Sequence, residues 1–223
     1  MADNFLEKRY EDVFGRDAGR KGAPRRPALD TLLLHNRSFR GYDKSYAVHR
    51  RQLDAMIAVN PKVASSINLQ RLRFRPVVKG PEAERVQAHI RMGRALPELH
   101  LPFPGTEPEA FIVVCSTVPE NPGIDIDLGI SLQSMLLKAV EMGLGGLIIR
   151  NFDREEVRLA LDLPYEPVAV LAVGKPAENI ELVPVHAGDS LDYYRRDGVH
   201  YVPKLTAEDL TIEPRSDMKP VRP

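Results

Sequence analysis

The order of apolar runs along the chain predicts a globular domain that combines α-helices and β-strands around one core. Three apolar runs of strand length, FIVVCS, GLIIR and VAVLAVG, lie in the middle and second half of the 223-residue chain. Between the first two, IDLGISLQSMLLKAVEM has apolar residues on almost every side of a helix. NFDREEV then predicts a further helix, with Asp153 as its cap and Glu156 as the partner of that cap. From Ile124 onward we expect helix, strand, helix, strand.

The N-terminal half contributes further helices. Apolar residues from Phe5 to Phe14 have near-helical spacing, and the breaker-rich stretch GRDAGRKGAPRRP that follows them is typical of a solvated linker, although its basic residues also suit an anion-binding patch. Asp30 is expected to cap a short helix through Leu34. The next helix is expected to end at Pro61.

A strand, another helix and a long irregular segment come next. In RLRFRPVV, apolar residues alternate with arginines, which predicts a half-buried strand. Pro81 suits the first turn of a helix. The four prolines between Leu96 and Ala110 exclude regular structure, and this segment is expected to be a lid, a dimer arm or a binding loop. FIVVCS is apolar throughout and is therefore expected to be a central strand.

Composition narrows the classes of function. Lys plus Arg and Asp plus Glu both number 31, so no overall field directs the protein to nucleic acid or to an anionic membrane. No run approaches the ~18 apolar residues of a membrane span, and the charged N-terminus lacks the apolar region of a secretion signal. Cys115 lies inside FIVVCS, where a buried, inert thiol is expected. These features predict a cytoplasmic protein.

Two familiar chemical motifs are set aside. Gly143, Gly145 and Gly146 follow a helix, whereas a dinucleotide-binding loop follows a strand, so these glycines are interpreted as a helix stop. The histidines show no paired spacing typical of a metal site, and no metal is expected. They are His35, His49, His89, His100, His186 and His200.

Four separated polar segments carry the functional hypothesis. They are Arg37-Ser38-Phe39-Arg40, Ala64 to Gln70 (ASSINLQ), Arg150-Asn151-Phe152 and Tyr201-Val202-Pro203-Lys204. In this order, with the long helix, the GLG turn and the strand ending in glycine, they resemble the FMN-dependent nitroreductase family over Leu29 to Leu205. The resemblance implies an α+β fold: a three-layer α/β/α sandwich with a mainly antiparallel central sheet, in an intertwined homodimer. Residues 1–28 would then be a helical extension and linker, and 206–223 a C-terminal tail.

The resemblance also implies FMN as the cofactor, and the basic segment suits it. Guanidinium groups bind a phosphate dianion through charge-assisted hydrogen bonds, so Arg37 and Ser38 are candidates for the phosphate and ribityl chain. Arg40 is expected at the flavin edge that gains negative charge on reduction. An alternative for RSFR is an N-terminal cap with solvated arginines.

The other segments receive roles from the same resemblance. Short polar side chains in the second segment suit the pyrimidine edge of a flavin, although a plain turn before a strand has the same composition. A backbone amide at the strand end would face flavin N5, and the last segment supplies a phosphate-binding lysine. The candidate residues are Ser65, Ser66, Asn68 and Gln70; Arg150 and Asn151; and Lys204. The chain departs from the family pattern at Gln70-Arg71-Leu72, where QPW is expected, and it contains no tryptophan.

The implied activity is a ping-pong transfer of electrons from NAD(P)H through FMN to a small electron-poor acceptor, such as a nitroaromatic or a quinone. No side chain is expected to act as the catalytic acid or base, because the flavin supplies the chemistry. The alternative is a flavin-binding or structural dimer that keeps the fold without catalysis. Sequence leaves the acceptor and the choice between NADH and NADPH open.

Overall fold

The computed structural model describes residues 27–93 and 99–213, so the predicted N-terminal helix and most of the linker lie outside the described residues. In chain order the helices are α1 (Leu29–His35), α2 (Arg50–Ile57), α3 (Pro81–His89), α4 (Pro122–Glu141), α5 (Arg154–Ala160) and α6 (Ala207–Leu210). The strands are β1 (Leu72–Val77), β2 (Ala110–Ser116), β3 (Gly145–Ile149), β4 (Glu166–Gly174), β5 (Asn179–Val185), β6 (Tyr194–Arg196) and β7 (Val199–Leu205).

The central sheet has the strand order β1-β2-β4-β3, and every neighbouring pair in it is antiparallel. All seven residues of β2 are buried, which confirms the prediction that FIVVCS is a central strand. Burial also raises the pKa of the Cys115 thiol to about 11, so the thiol stays protonated at neutral pH. Chain segments around Pro81 and from Pro122 to Gly174 form the helices and strands that the sequence predicts.

Helices pack on both faces of this sheet. Because successive side chains of a strand point to opposite faces, Phe111 and Val113 join one apolar cluster, whereas Ile112 and Val114 join another. The first cluster contains residues of α3 and α5, and the second contains residues of α2 and α4. The three-layer α/β/α arrangement with an antiparallel central sheet is therefore confirmed.

The long helix α4 is capped by Asn121, whose side chain accepts hydrogen bonds from two backbone N–H groups of the first turn. Its face toward the sheet, including Leu128, Leu132 and Met135, is buried. Ile126, on another side, is 60% exposed in the single chain. Gly143, at φ +71°, ends the helix region, as predicted for this glycine.

A second, smaller sheet was not predicted. Strand β7 pairs in parallel with β5 and antiparallel with β6. Asp197 and Gly198 join β6 to β7 with positive φ at both positions, which is the geometry of a tight hairpin turn. The Asp-Gly dipeptide was an available signal for this hairpin. Helix α6 lies in the segment predicted to be a tail.

Two helix caps differ in outcome. Asp153 accepts a hydrogen bond from the Glu156 backbone N–H at 3.1 Å and caps α5, as predicted. The prediction for Asp30 is wrong, because the cap position of α1 is Ala28 and no side chain caps it. Asp30 lies instead in the first turn, where its negative charge interacts favourably with the positive end of the helix dipole. Within the described residues, no helix is long and apolar enough to cross a membrane.

Candidate functional site

The Arg37–Arg40 segment runs along the free side of edge strand β3. Ser38 forms a parallel bridge with Gly146, and the Phe39 backbone N–H donates to the Gly146 carbonyl at 3.2 Å. The Phe39 ring is buried in the core, and the Tyr42 hydroxyl donates to the Phe39 carbonyl at 2.8 Å. The segment is therefore attached to the sheet through its backbone and through the Phe39 ring.

Close contact between the Arg37–Arg40 segment and the sheet explains two glycines whose sequence pattern is that of a helix stop. Gly145 and Gly146 lie inside β3, so that interpretation is wrong for both. A Cβ on Gly145 would collide with the Phe39 ring. A Cβ on Gly146 would collide with the Ala172 carbonyl oxygen of the next strand and would lie 2.8 Å from a methyl carbon of Leu136. Small residues are required here because the segment and the core approach the backbone so closely.

Four predicted residues line one cavity of about 340 Å³, the basic cavity. It contains the cations Arg37, Arg40 and Lys204 beside the Ser38 hydroxyl, and no carboxylate lines it among the described residues. Strands β5 and β7 of the small sheet form its other wall. The complete lining is Asn36, Arg37, Ser38, Arg40, Ile180, Tyr193, His200, Val202 and Lys204.

The guanidinium groups in this cavity are only partly satisfied by the protein. Arg37 donates from Nη2 to the Leu33 carbonyl at 2.6 Å, and its buried Nε has no hydrogen-bond partner among the described residues. Desolvation by burial lowers the pKa of Arg37. Arg40 donates from Nη1 to the Ser38 carbonyl at 3.1 Å. Three cations without a lining carboxylate among the described residues favour an anion, which can accept charge-assisted hydrogen bonds from them.

Two aromatic side chains of this cavity were missed from sequence. Tyr193 lies under Arg40, whose guanidinium carbon is 5.4 Å from the ring centroid, and it packs edge-on against His200. His200 is 2% exposed, and its Nδ1 has no partner among the described residues. Burial, followed by the charges of Arg40 and Arg195, lowers the pKa of His200 to about 4, so the ring is neutral near pH 7.

A second cavity of about 420 Å³, the strand-end cavity, adjoins the first at the end of β3. Arg40 and Tyr193 line both cavities. Arg150 and Asn151 line the strand-end cavity. The Arg150 side chain pairs with Glu120 at 2.5 Å and with Asp125 at 3.3 Å, so it is engaged within the protein.

The Ser65–Gln70 loop lies apart from these two cavities. Ser65 and Gln70 line a third cavity of about 300 Å³ between α2, β1 and α4, and Ser66 donates its backbone N–H to Asp127 at 2.6 Å. Ile67, Asn68 and Gln70 all have positive φ, and Ile67 is 85% exposed. Positive φ strains a β-branched residue.

Within one chain, the structure therefore unites six of the ten candidates and separates four. The united residues are Arg37, Ser38, Arg40, Arg150, Asn151 and Lys204. The separated residues are Ser65, Ser66, Asn68 and Gln70. No group of three or more metal-ligating side chains converges within the described residues.

Comparisons with known proteins agree with this fold. The profile of the nitroreductase family matches residues 33–175, more than half of the chain. No curated protein matches the sequence.

Solved structures with the same fold have low sequence identity. A variant of the FMN and NADPH-dependent nitroreductase NfnB from Sphigopyxis sp. strain HMH is 18% identical, with a TM-score of 0.58 over 68% of this chain and 89% of that one. A nitroreductase family protein from Clostridium difficile 630 is 21% identical, with a TM-score of 0.54 over 68% and 86%. Nitroreductase A from Vibrio parahaemolyticus RIMD 2210633 is 22% identical, with a TM-score of 0.53 over 68% and 69%. This chain belongs to the nitroreductase family.

Proposed function

We propose that this protein is an FMN-dependent oxidoreductase that passes electrons from NAD(P)H to a small electron-poor acceptor, such as a nitroaromatic or a quinone. The observation that carries the proposal is the basic cavity, which holds three cations and no lining carboxylate among the described residues. Its position beside the strand-end cavity suits a ligand with a phosphate at one end and a ring at the other. Family membership and the FMN dependence named for the NfnB neighbour support the same cofactor.

The residues present fit the phosphate of FMN. Arg37 and Lys204 contribute positive charge from opposite walls of the basic cavity, and Ser38 adds a hydroxyl. Among the described residues, the Arg37 guanidinium makes one hydrogen bond, from Nη2 to the Leu33 carbonyl, so it has donors left for a ligand. Charge-assisted hydrogen bonds to a phosphate would stabilise the group that burial disfavours.

Arg40 is suited to a different role because it lines both cavities. Bound FMN would supply the two-electron chemistry, accepting hydride from NAD(P)H and then reducing the acceptor. Arg40 would place a fixed positive charge where negative charge accumulates on reduction, and so favour the reduced cofactor. Asn151 and the end of β3 would hold the ring edge through the backbone rather than through the Arg150 side chain.

The separated Ser65–Gln70 loop leads us to include a homodimer in the proposal. In this arrangement the loop of one chain would complete the site of its partner, so that each site uses residues of both chains. Ile67, which is strained at positive φ and 85% exposed, supports contact with a surface that a single chain does not provide.

The first test is FMN binding by the purified protein, followed under nitrogen by absorbance. We expect bound flavin, bleaching by NADH or NADPH, and recovery of colour when a quinone or nitroaromatic is added. Failure to take up FMN would refute the proposal. Binding without bleaching by either donor would instead support the non-catalytic flavin-binding alternative.

The second test separates the two arginines. Arg40→Ala should lower the midpoint potential of bound FMN, whereas Arg40→Lys should keep most of the effect because a point charge suffices there. The potential is measured by equilibration with reference dyes. An unchanged potential in Arg40→Ala, with FMN still bound, would remove Arg40 from the flavin ring.

A further inference from the structure

A buried carboxylate, absent from the sequence-based candidates, holds the backbone at Arg40. Glu178 lies just before β5, and its side chain is 6% exposed. Its Oε1 accepts hydrogen bonds from the backbone N–H groups of Arg40 and Gly41, 138 and 137 residues away in sequence. Its Oε2 pairs with the Arg195 guanidinium. One carboxylate thus joins the Arg37–Arg40 segment to the small sheet.

This contact satisfies two backbone donors at the point where the segment turns into the core. Buried N–H groups without partners are costly, and Gly41 is itself buried. The fit is close, because a Cβ on Gly41 would lie 3.2 Å from Glu178 Cγ. The Ala177 backbone N–H also donates to the Gly41 carbonyl at 3.1 Å, so the two stretches meet through several bonds.

The same contact determines where the Arg40 side chain starts. From this fixed backbone the guanidinium reaches the Ser38 carbonyl and lies over the Tyr193 ring. Arg195, the other partner of Glu178, lies 5.2 Å over the Phe103 ring and so has an anchor of its own. Arg40 is therefore held at its backbone by Glu178 and at its side chain by Ser38 and Tyr193.

We propose that Glu178 is a positioning residue. Its carboxylate oxygen accepts hydrogen bonds from the Arg40 and Gly41 backbone amides and thereby fixes the Arg40 guanidinium in the wall shared by the basic and strand-end cavities. This inference rests on the proposed function, because its consequence is the preference of the site for reduced over oxidised FMN. Without these two hydrogen bonds, the Arg40 side chain samples several positions, and its positive charge is no longer held in one orientation beside the reduced flavin ring.

A single Glu178→Ala substitution would confuse two effects, because it leaves the partly buried Arg195 without its counter-charge. The test therefore replaces the ion pair in two matched ways. E178Q/R195M removes both charges but keeps a side-chain oxygen that accepts from the two amides. E178A/R195M removes both charges and the acceptor. Comparison of the two variants isolates the effect of the hydrogen bonds to the Arg40 and Gly41 amides at constant net charge.

The measured quantity is the ratio of the dissociation constants for oxidised and reduced FMN, obtained by fluorescence quenching and dye equilibration. On a logarithmic scale, the change of this ratio in E178A/R195M should be at least half of the change in Arg40→Ala. The ratio in E178Q/R195M should stay within about threefold of the wild-type value. Arg40→Ala itself should change the ratio by about tenfold. Added to E178A/R195M, Arg40→Ala should change it little further, because the two substitutions act through one group.

Glu178→Asp provides a second variant for the case in which E178A/R195M does not fold. It keeps the charge pair and retracts the oxygen from the amides, so a shift in the same direction is expected. Wild-type preference in both E178A/R195M and Glu178→Asp, or in the one that folds, would overturn the inference. Equal shifts in E178Q/R195M and E178A/R195M would also overturn it, because the charge pair would then be the cause. Failure of wild-type protein to bind FMN would refute the proposed function instead.

Discussion

The two polar parts of the candidate site are held in different ways. The Arg37–Arg40 segment is tied to β3 through Gly146 and to the small sheet through Glu178, and it buries the Phe39 ring in the core. The Ser65–Gln70 loop is tied to α4 through one hydrogen bond to Asp127, and it exposes Ile67 at positive φ. The first part is built within one chain, whereas the second is strained and exposed, which is why we propose that a partner chain contacts it.

This difference indicates which contacts each part needs. Substitutions around the Arg37–Arg40 segment should act on folding and on anion binding in the single chain, because its partners are all internal. Substitutions in the Ser65–Gln70 loop should act mainly on assembly. The following predictions test that division, from the largest expected effect to the smallest.

Gly146→Ala should have the largest effect. Its Cβ would collide with the Ala172 backbone, which cannot move without displacing the strand, so we expect a loss of about 2–4 kcal/mol of unfolding free energy. Urea titration followed by circular dichroism measures it. The control is Gly129→Ala in α4, where a Cβ meets nothing within 4 Å in the single chain. A stable Gly146→Ala protein would contradict the close contact described for this strand.

Arg37→Ala should weaken FMN binding by about one to two decades, because it removes a charged hydrogen-bond donor from the basic cavity. Riboflavin binding should change less, since riboflavin lacks the phosphate. Fluorescence quenching measures both affinities. Arg51→Ala, on the exposed side of α2, removes the same charge away from the cavity and serves as the control. Equal losses for FMN and riboflavin would contradict the phosphate assignment.

Ile67→Asp should weaken the proposed homodimer by more than tenfold, because an unpaired charge replaces an apolar contact at a cost of about 2 kcal/mol. Sedimentation velocity over a dilution series measures the change. Ile212→Asp is the control, because Ile212 is also exposed, at 96%, but lies after α6. A wild-type protein that sediments as a flavin-bound monomer would contradict the assignment of this loop to a dimer contact.

His200 should make the free energy of unfolding depend on pH below about 6.5. Its pKa is lowered from 6.5 to about 4 in the folded chain, so the unfolded chain binds a proton more readily between these values. The free energy of unfolding should therefore fall as pH decreases from about 6.5 toward 4, and be unaffected above that window. His200→Gln should reduce this slope. Denaturant titrations at several pH values measure it, and equal slopes in His200→Gln and wild type would contradict the prediction.

The amino-acid sequence by itself determined the core elements. Apolar runs such as FIVVCS and the long helix before Gly143 are recognisable because burial on one or both faces repeats every two or every 3.6 residues. The Asp153 cap and the Pro81 helix start are likewise local, since the interacting atoms are within a few residues of each other. The sequence also identified the basic segment that lines the cavity.

Only the tertiary structure decided how the polar segments combine. It placed Lys204 and His200 opposite Arg37, joined Glu178 to the Arg40 amides, and separated Ser65 from all of them. In sequence, Gly145 and Gly146 look like part of a helix stop. Only the close approach of Phe39 and Ala172 shows that a larger side chain would collide at these positions. These contacts join residues far apart in the chain, and neither periodicity nor local propensity records which distant segments will meet.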